Sequence, residues 1–290
     1  MTTTRPPRSA RPDAPPHTAT PAERAGSRLP APLASAAPVV AAVAGIAAIW
    51  YLLSDVVLPP DQRFLLPPPD RAYRVALSDP FIVGPMFDAL GRSIAVAVIG
   101  LALAAVIGVG WAVVMSQWSW AEKILYPYAV ILQTIPILAL VPLIGIWMGY
   151  SFTARVAVCV IIAVFPLISN TFFGLQSATA AAHDLMTLSR ATRWQRLAKL
   201  QFPAAVPALF TGLRTAAGLS VIGAIVGDYF FQQGAPGIGS LLRVYTQRLS
   251  MEALLTAVTL TALFGVLFFT AFAVLDRAVV GRWYGTATRR

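Results

Sequence analysis

Histidine, lysine and cysteine are almost missing from this chain. It has two histidines, His17 and His183, two lysines, Lys123 and Lys199, and one cysteine, Cys159. Each scarcity excludes a chemistry. One cysteine permits no intrachain disulfide and no cysteine metal cluster, and its place in an apolar run reads as a small buried residue. Two isolated histidines, without an H-E-x-x-H, leave no histidine metal site and no histidine-dependent triad. A phosphate-binding loop needs G-x-x-x-x-G-K-[ST], and neither lysine stands in that context. The chain therefore does not hydrolyse nucleotide by that route. No catalytic residue, metal site or cofactor of its own is expected, and no enzyme activity.

Charge is also scarce. Charged residues make up 12% of the 290, against 57% hydrophobic residues, whereas a soluble domain carries roughly 25% charged residues. A deficit spread along the chain indicates a polytopic membrane protein. The formal net charge of +10 does not indicate a nucleic-acid partner, because the basic residues sit in tails and short connections rather than on one soluble face.

Residues 1–35, "MTTTRPPRSARPDAPPHTATPAERAGSRLPAPLAS", lack periodicity and bulky apolar residues, and read as a disordered tail. The first apolar run reads as a retained helix rather than a cleaved signal. A helical span takes about 20 apolar residues. Charge-poor windows occur at 29–54, 93–121, 124–154, 156–183, 208–230 and 253–275, the fifth carrying Arg214. Six spans put both termini on one side. With the N-terminus inside, Lys and Arg divide fifteen inside to seven outside, so both termini are expected in the cytoplasm. The expected organisation is a cytoplasmic tail over 1–35, a membrane domain over 36–277 and a cytoplasmic tail over 278–290.

Two outer connections are long enough for structure. Residues 55–91 are expected to end in a short helix leading into the second span. Residues 231–251 hold "QQGAPGIGSLL", whose glycines and proline signal turns and a re-entrant or interfacial segment. The third span is interrupted by Pro136 and Pro142, with Gln133 and Thr134 just before. Proline frees a carbonyl four residues back, so this helix either lines a pathway or is bent for packing. No span carries an unpaired Asp or Glu near its middle, which argues against proton coupling.

The stretch "DLMTLSRATRWQRLAKLQFPAAVP", from Asp184 to Pro207, stands out between apolar runs. It reads as two short helices. Asp184 suits the N-terminus of the first, and Thr192 with Gln195 forms a capping box for the second. Arg193, Arg196 and Lys199 share a broad face, with Trp194 and Leu197 on another. Pro203 is expected to stop that helix, and Pro207 to stand where the fifth span begins. On pattern alone the segment is either a basic amphipathic helix on anionic headgroups or a docking helix for a cytoplasmic partner.

Here the sequence resembles the permease family of bacterial binding-protein-dependent ABC importers. Their loop reads Glu-Ala-Ala, three residues, Gly, nine residues, Ile-x-Leu-Pro. It aligns with Asp184-Leu185-Met186, then Arg190, then Leu200 to Pro203, with the spacing kept. Arg190 stands where the family has a turn glycine, and at positive φ an arginine is strained. The flanks "YAVILQTIPILALVPLIGIWMGYS", "PLISNTFFGLQSA" and "ATRWQRLAKLQFPAAVPALFTGLRTAAGLSVIGAIVGDYF" resemble the branch for nitrate, taurine and aliphatic sulfonates, thiamine pyrimidine precursors and riboflavin.

The resemblance implies an all-α type I importer permease fold in the cell membrane and a pore built from two copies of this chain. Two P-loop ATPase subunits would bind the ATP. A periplasmic or lipid-anchored substrate-binding protein would deliver the solute. The loop over about 179–207 would be the coupling surface, using Asp184, Leu185, Met186, Arg190, Thr192, Arg193, Trp194, Arg196, Leu197, Lys199 and Pro203, with Trp194 and Leu197 as apolar anchors. Pathway candidates are Gln133 and Thr134, Asn170 and Thr171 at the end of the fourth span, and Asp228 and Tyr229 at the end of the fifth. The plain alternative for Asp228 is a helix-end residue paired with Arg243 or Arg248. The competing function is a stand-alone secondary transporter, which would need an ion site inside the membrane.

Overall fold

A computed structural model describes residues 31–231 and 233–284. Among these residues there are helices and turns and no strand. Long runs without charge have few ways to satisfy backbone N–H and C=O groups in hydrocarbon, and a helix does so within itself. Over the described residues the chain is an all-α, polytopic membrane protein.

Helix α1, Ala31–Leu52, is apolar around its circumference and runs into a π-turn over Leu53–Val57. It begins inside the stretch read as a tail, and the rest of that stretch lies outside the described residues. Residues up to Trp50 form one unit and those from Tyr51 a second. The second unit holds α2 (Pro69–Ser78), α3 (Pro80–Gln117), α4 (Ser119–Thr134), α5 (Ile137–Met148), α6 (Phe152–Leu175), α7 (Ala180–Leu188), α8 (Arg193–Arg196), α9 (Phe202–Phe230), α10 (Ile238–Gln247) and α11 (Met251–Tyr284). Among the described residues five helices are long and apolar enough to span a membrane, and the pair α4–α5, bent by 98°, brings the count to six when it is taken as one span. Helix α11 continues to Tyr284, past residue 277; residues 285–290 lie outside the described residues.

The core is the bundle of α3, α6 and α9. Its interface is built from small residues. A side chain at Gly100 would run into Cys159, one at Gly108 into Leu167, and one at Gly223 into the Cα of Cys159, at 2.7 Å. With Ala216, Ala217, Ser220 and Ala224 also buried on α9, the three backbones approach closely, as is common where lipid gives no hydrophobic drive to associate. Leu101, Leu167, Phe172 and Leu175 fill the space between. The paired positions run parallel between α3 and α6 and antiparallel between α6 and α9. The starts of α3 and α6 therefore share one end of the bundle with the end of α9. The turn at α7–α8 lies at the other.

Two connections at the α9 end carry a short helix: α2 in 55–91, as expected, and α10 in 231–251, where turns and a re-entrant or interfacial segment were expected. Helix α2 starts at Pro69, whose missing N–H costs nothing there. It lies on α11 through Tyr73 to Thr259 (3.1 Å), Thr256 to the Ala72 carbonyl (3.3 Å) and an Arg71–Glu252 ion pair (3.9 Å). The second span then begins earlier than the charge-free window, because Asp79 caps α3 by accepting from the Phe81 N–H at 2.9 Å, with Pro80 in the first turn.

Three local readings need correction. The third span breaks once, between α4 and α5, not at both prolines. Pro136 forces Ile135 into extended backbone (ψ 127), as the residue before proline prefers, whereas Pro142 lies inside α5. Asp184 does not open α7: Thr179 is its N-cap, and Asp184 falls in mid-helix. Pro203 does not stop the helix after α8. A π-turn over Leu197–Gln201 widens the ladder ahead of it, with Phe202 N–H bonded back to the Leu197 carbonyl. The proline then needs no donor, and Arg193–Phe230 runs as one long helix with Pro207 inside it.

Candidate functional site

Three places gather the candidate residues. At the α9 end, the last turn of α9 carries Asp228, fully buried. Its partner is Arg155 in the first turn of α6, 5% exposed, with Nη1 3.4 Å from Oδ1. Under the plain alternative, in which Asp228 is a paired helix-end residue, the partner is Arg155 rather than Arg243 or Arg248. Ser93 on α3 donates to the other carboxylate oxygen and accepts from the Ile238 N–H at 2.9 Å. Arg155 also donates to the carbonyls of Ala235 (2.8 Å), Gln233 (2.9 Å) and Phe231 (3.2 Å), and Arg92 donates to Pro236 (2.7 Å). Gly237 and Gly239 press against Asp228, where any side chain would collide with it. The ion pair with Ser93 and Arg92 thus gathers the fourth turn of α3, the start of α6, the end of α9 and the α9–α10 connection. The connection is held as a cover. It closes one wall of a cavity of about 300 Å³ bounded also by Arg92, Tyr150 and Phe152. Neither Arg155 nor Ser93 was singled out from the sequence. Arg155 was visible only as a charge close to an apolar run.

Midway along the bundle, the α4–α5 break opens a cavity of about 270 Å³ bounded by Gln133, Ile135, Ile161, Phe165, Pro166 and Leu219. The Gln133 amide has no hydrogen-bond partner among the described residues. Pro136 and Pro166 lack N–H groups, so the carbonyls of Leu132 and Ile162 lose their ordinary helical donors; both residues also border the cavity. Thr134 lies at the break, its hydroxyl bonded to the Ile131 carbonyl (3.0 Å). The other pathway candidates are elsewhere. Asn170 is half-buried and bonds back to the Pro166 carbonyl (2.8 Å). Thr171 is wholly buried and does not border this cavity. Tyr229 lies under the Arg243 guanidinium, 6.0 Å from its ring centroid.

At the opposite end is the turn α7–α8. Thr192 accepts from the Gln195 N–H and Gln195 accepts from the Thr192 N–H, so the expected capping box is present. Arg190 has φ 52. Its N–H bonds to Thr187 and that of Ala191 to Met186, which makes Arg190 the left-handed residue of a Schellman turn, the place glycine usually takes. Helix α7 buries none of its residues. Leu188 is 83% exposed, and Leu185 and Trp194 63% each. Leu197, expected as an anchor, is instead buried in the core. Leu188 was missed, and its spacing of three from Leu185 was the available signal. Arg196 spends a guanidinium nitrogen on Thr187 (2.9 Å), while Arg193 and Lys199 are exposed.

This arrangement, a helical membrane bundle with a polar latch at one end of its core and an exposed helical turn at the other, is that of a polytopic membrane protein. Residues 100–281 match the family described as "Binding-protein-dependent transport system inner membrane component", and the chain belongs to that family. It is the permease of an ABC importer, in a family whose partners are an ATPase and a substrate-binding protein. It is 32% identical over 235 residues to the formylaminopyrimidine transport permease protein of Halalkalibacterium halodurans, covering 80% of this chain and 90% of that one. It is 32% identical over 164 residues to a riboflavin transport system permease protein of Chloroflexus aurantiacus, covering 57% and 60%. The nitrate import permease protein of a Synechocystis species is 26% identical over 250 residues, covering 82% and 87%.

Proposed function

We propose that two copies of this chain form the pore, that the α7–α8 turn docks on the ATPase in the cytoplasm, and that both termini lie on that side. The observation that carries the reading is mechanical. The exposed turn bearing Leu185, Leu188 and Trp194 continues without a break through Arg193–Phe230 to Asp228. A displacement of the turn by an ATPase is therefore delivered to the latch that holds the α9–α10 connection, about 53 Å along the helix from Arg193. Leu185, Leu188 and Trp194 supply the apolar contact, since aromatic anchors dominate many interfaces. Arg190, Arg193 and Lys199 meet acidic groups at the rim. Asp184, Met186, Thr192, Arg196 and Pro203 set the shape of the turn. The fifteen-to-seven division of Lys and Arg supports the orientation.

The α4–α5 cavity supports a pathway role for Gln133, with Thr134 next to it at the break, and narrows the substrate. Its lining residues supply one side-chain amide, that of Gln133, and otherwise apolar walls suited to a ring. Those groups fit a small, uncharged, N–H-bearing heterocycle of pyrimidine type better than nitrate or a sulfonate. The relatives named for formylaminopyrimidine and riboflavin agree with that choice.

The test of coupling is co-purification of the cognate P-loop ATPase with this chain. Leu188→Ala with Trp194→Ala is expected to lose the ATPase while the permease still inserts and elutes as a single species. Recovery of the ATPase at wild-type yield would reject the docking surface.

A further inference from the structure

Helix α9 carries a cation that the transport reading leaves unused. Arg214 is exposed, in the membrane-spanning part of the helix, and belongs to none of the ion pairs among the described residues. Its guanidinium lies over the Phe269 ring of α11, 4.5 Å from the centroid. A cation exposed on a span is costly unless an anion or water reaches it.

Depth indicates which anion is within reach. With the Asp228–Arg155 layer as one boundary, Arg214 lies about 21 Å along the helix from it. Hydrocarbon about 30 Å thick leaves roughly 9 Å to the other boundary, at the α7–α8 end, most of which an extended arginine side chain covers. The phosphate layer of that leaflet is within its range.

A groove of about 430 Å³ between α9 and α11 begins beside this residue, bounded by Gly218, Val221, Ile225, Val258, Thr261 and Gly265. Two glycines keep it open: a side-chain carbon at Gly218 would meet only Phe269, at 3.9 Å, and one at Gly265 only Val221, at 3.7 Å. From Arg214 the groove runs towards the Asp228 end, that is, into the middle of the bilayer. A lipid whose headgroup lies at the α7–α8 end sends its acyl chain along that path.

We propose that Arg214 and this groove bind one anionic phospholipid, its phosphate on the guanidinium and an acyl chain between α9 and α11. The site joins the helix that continues the α7–α8 turn to the last span, so occupancy ties α9 to α11. The proposal does not depend on which side of the membrane the turn faces.

The test uses the full transporter in nanodiscs of phosphatidylcholine doped with phosphatidylglycerol, with bound lipid counted by native mass spectrometry. Wild type is expected to retain phosphatidylglycerol selectively. Arg214→Gln should lower that retention about fivefold, in line with about 1 kcal/mol per basic residue at a membrane surface. Gly265→Leu should lower it too by filling the groove with Arg214 intact, and Arg214→Lys should keep most of it. Melting curves confirm that each variant is folded. Equal retention in wild type and Arg214→Gln overturns the site. So does unchanged retention with a selective loss of anion transport, which would assign Arg214 to the solute pathway.

Discussion

Arg155 and Asp228 form a pair whose two members are not equally replaceable. Asp228 receives a Ser93 hydroxyl besides Arg155, whereas Arg155 serves one carboxylate and three carbonyls of the α9–α10 connection. Loss of one partner of a buried pair costs about 3–5 kcal/mol. Arg155→Met strands the carboxylate and the carbonyls together and is expected to reach that range. Asp228→Asn keeps a polar group for Ser93 and leaves Arg155 its carbonyls, and should cost less. Thermal unfolding of the purified permease measures the order, and equal losses or the reverse order would discard this account. The pairing was illegible in the sequence because its residues are brought together by close packing of α6 on α9. Asp228 was legible as a polar residue ending an apolar run, but its partner was not.

At the level of the element, the α7–α8 turn shows what local patterns disclose. The capping box at Thr192 and Gln195 needs only neighbours, and it was readable. The course after Pro203 was not, because a π-turn over Leu197–Gln201 adjusts the backbone to a proline that usually ends a helix. The α4–α5 break was readable in kind but not in place, since Pro136 and Pro142 look alike until Ile135 is seen extended. Arg190 joins the two scales. It holds φ 52 in a turn designed for glycine, at a cost of about 1 kcal/mol. Arg190→Gly should therefore slow hydrogen exchange across the last turn of α7 about fivefold, the factor that energy implies. Arg190→Pro, unable to adopt positive φ, should unravel the turn. Exchange unaltered by the glycine would mean that the backbone carries no strain there.

For the whole molecule, six apolar windows were enough to announce the membrane fold, because hydrocarbon leaves a chain few alternatives. The route through it was less legible: of the six pathway candidates, Gln133 and Thr134 lie at the α4–α5 break, while Thr171 is in the interior and Asp228 in the latch. If the cavity at that break is a station for an N–H-bearing heterocycle, Gln133 is its one side-chain hydrogen-bonding group. Gln133→Leu keeps the volume and removes the amide, and loss of one hydrogen bond of about 1 kcal/mol should lower pyrimidine uptake into proteoliposomes about fivefold. Binding-protein-stimulated ATP hydrolysis should persist, because neither the α7–α8 turn nor the Asp228 latch is touched. Gln133→Glu separates the chemistry from the space: a carboxylate still accepts from an N–H donor, so uptake should recover in part. Full uptake by Gln133→Leu would move the pathway away from the break. Loss of both uptake and stimulated hydrolysis would make Gln133 a residue that holds the bend between α4 and α5 rather than one that meets the solute.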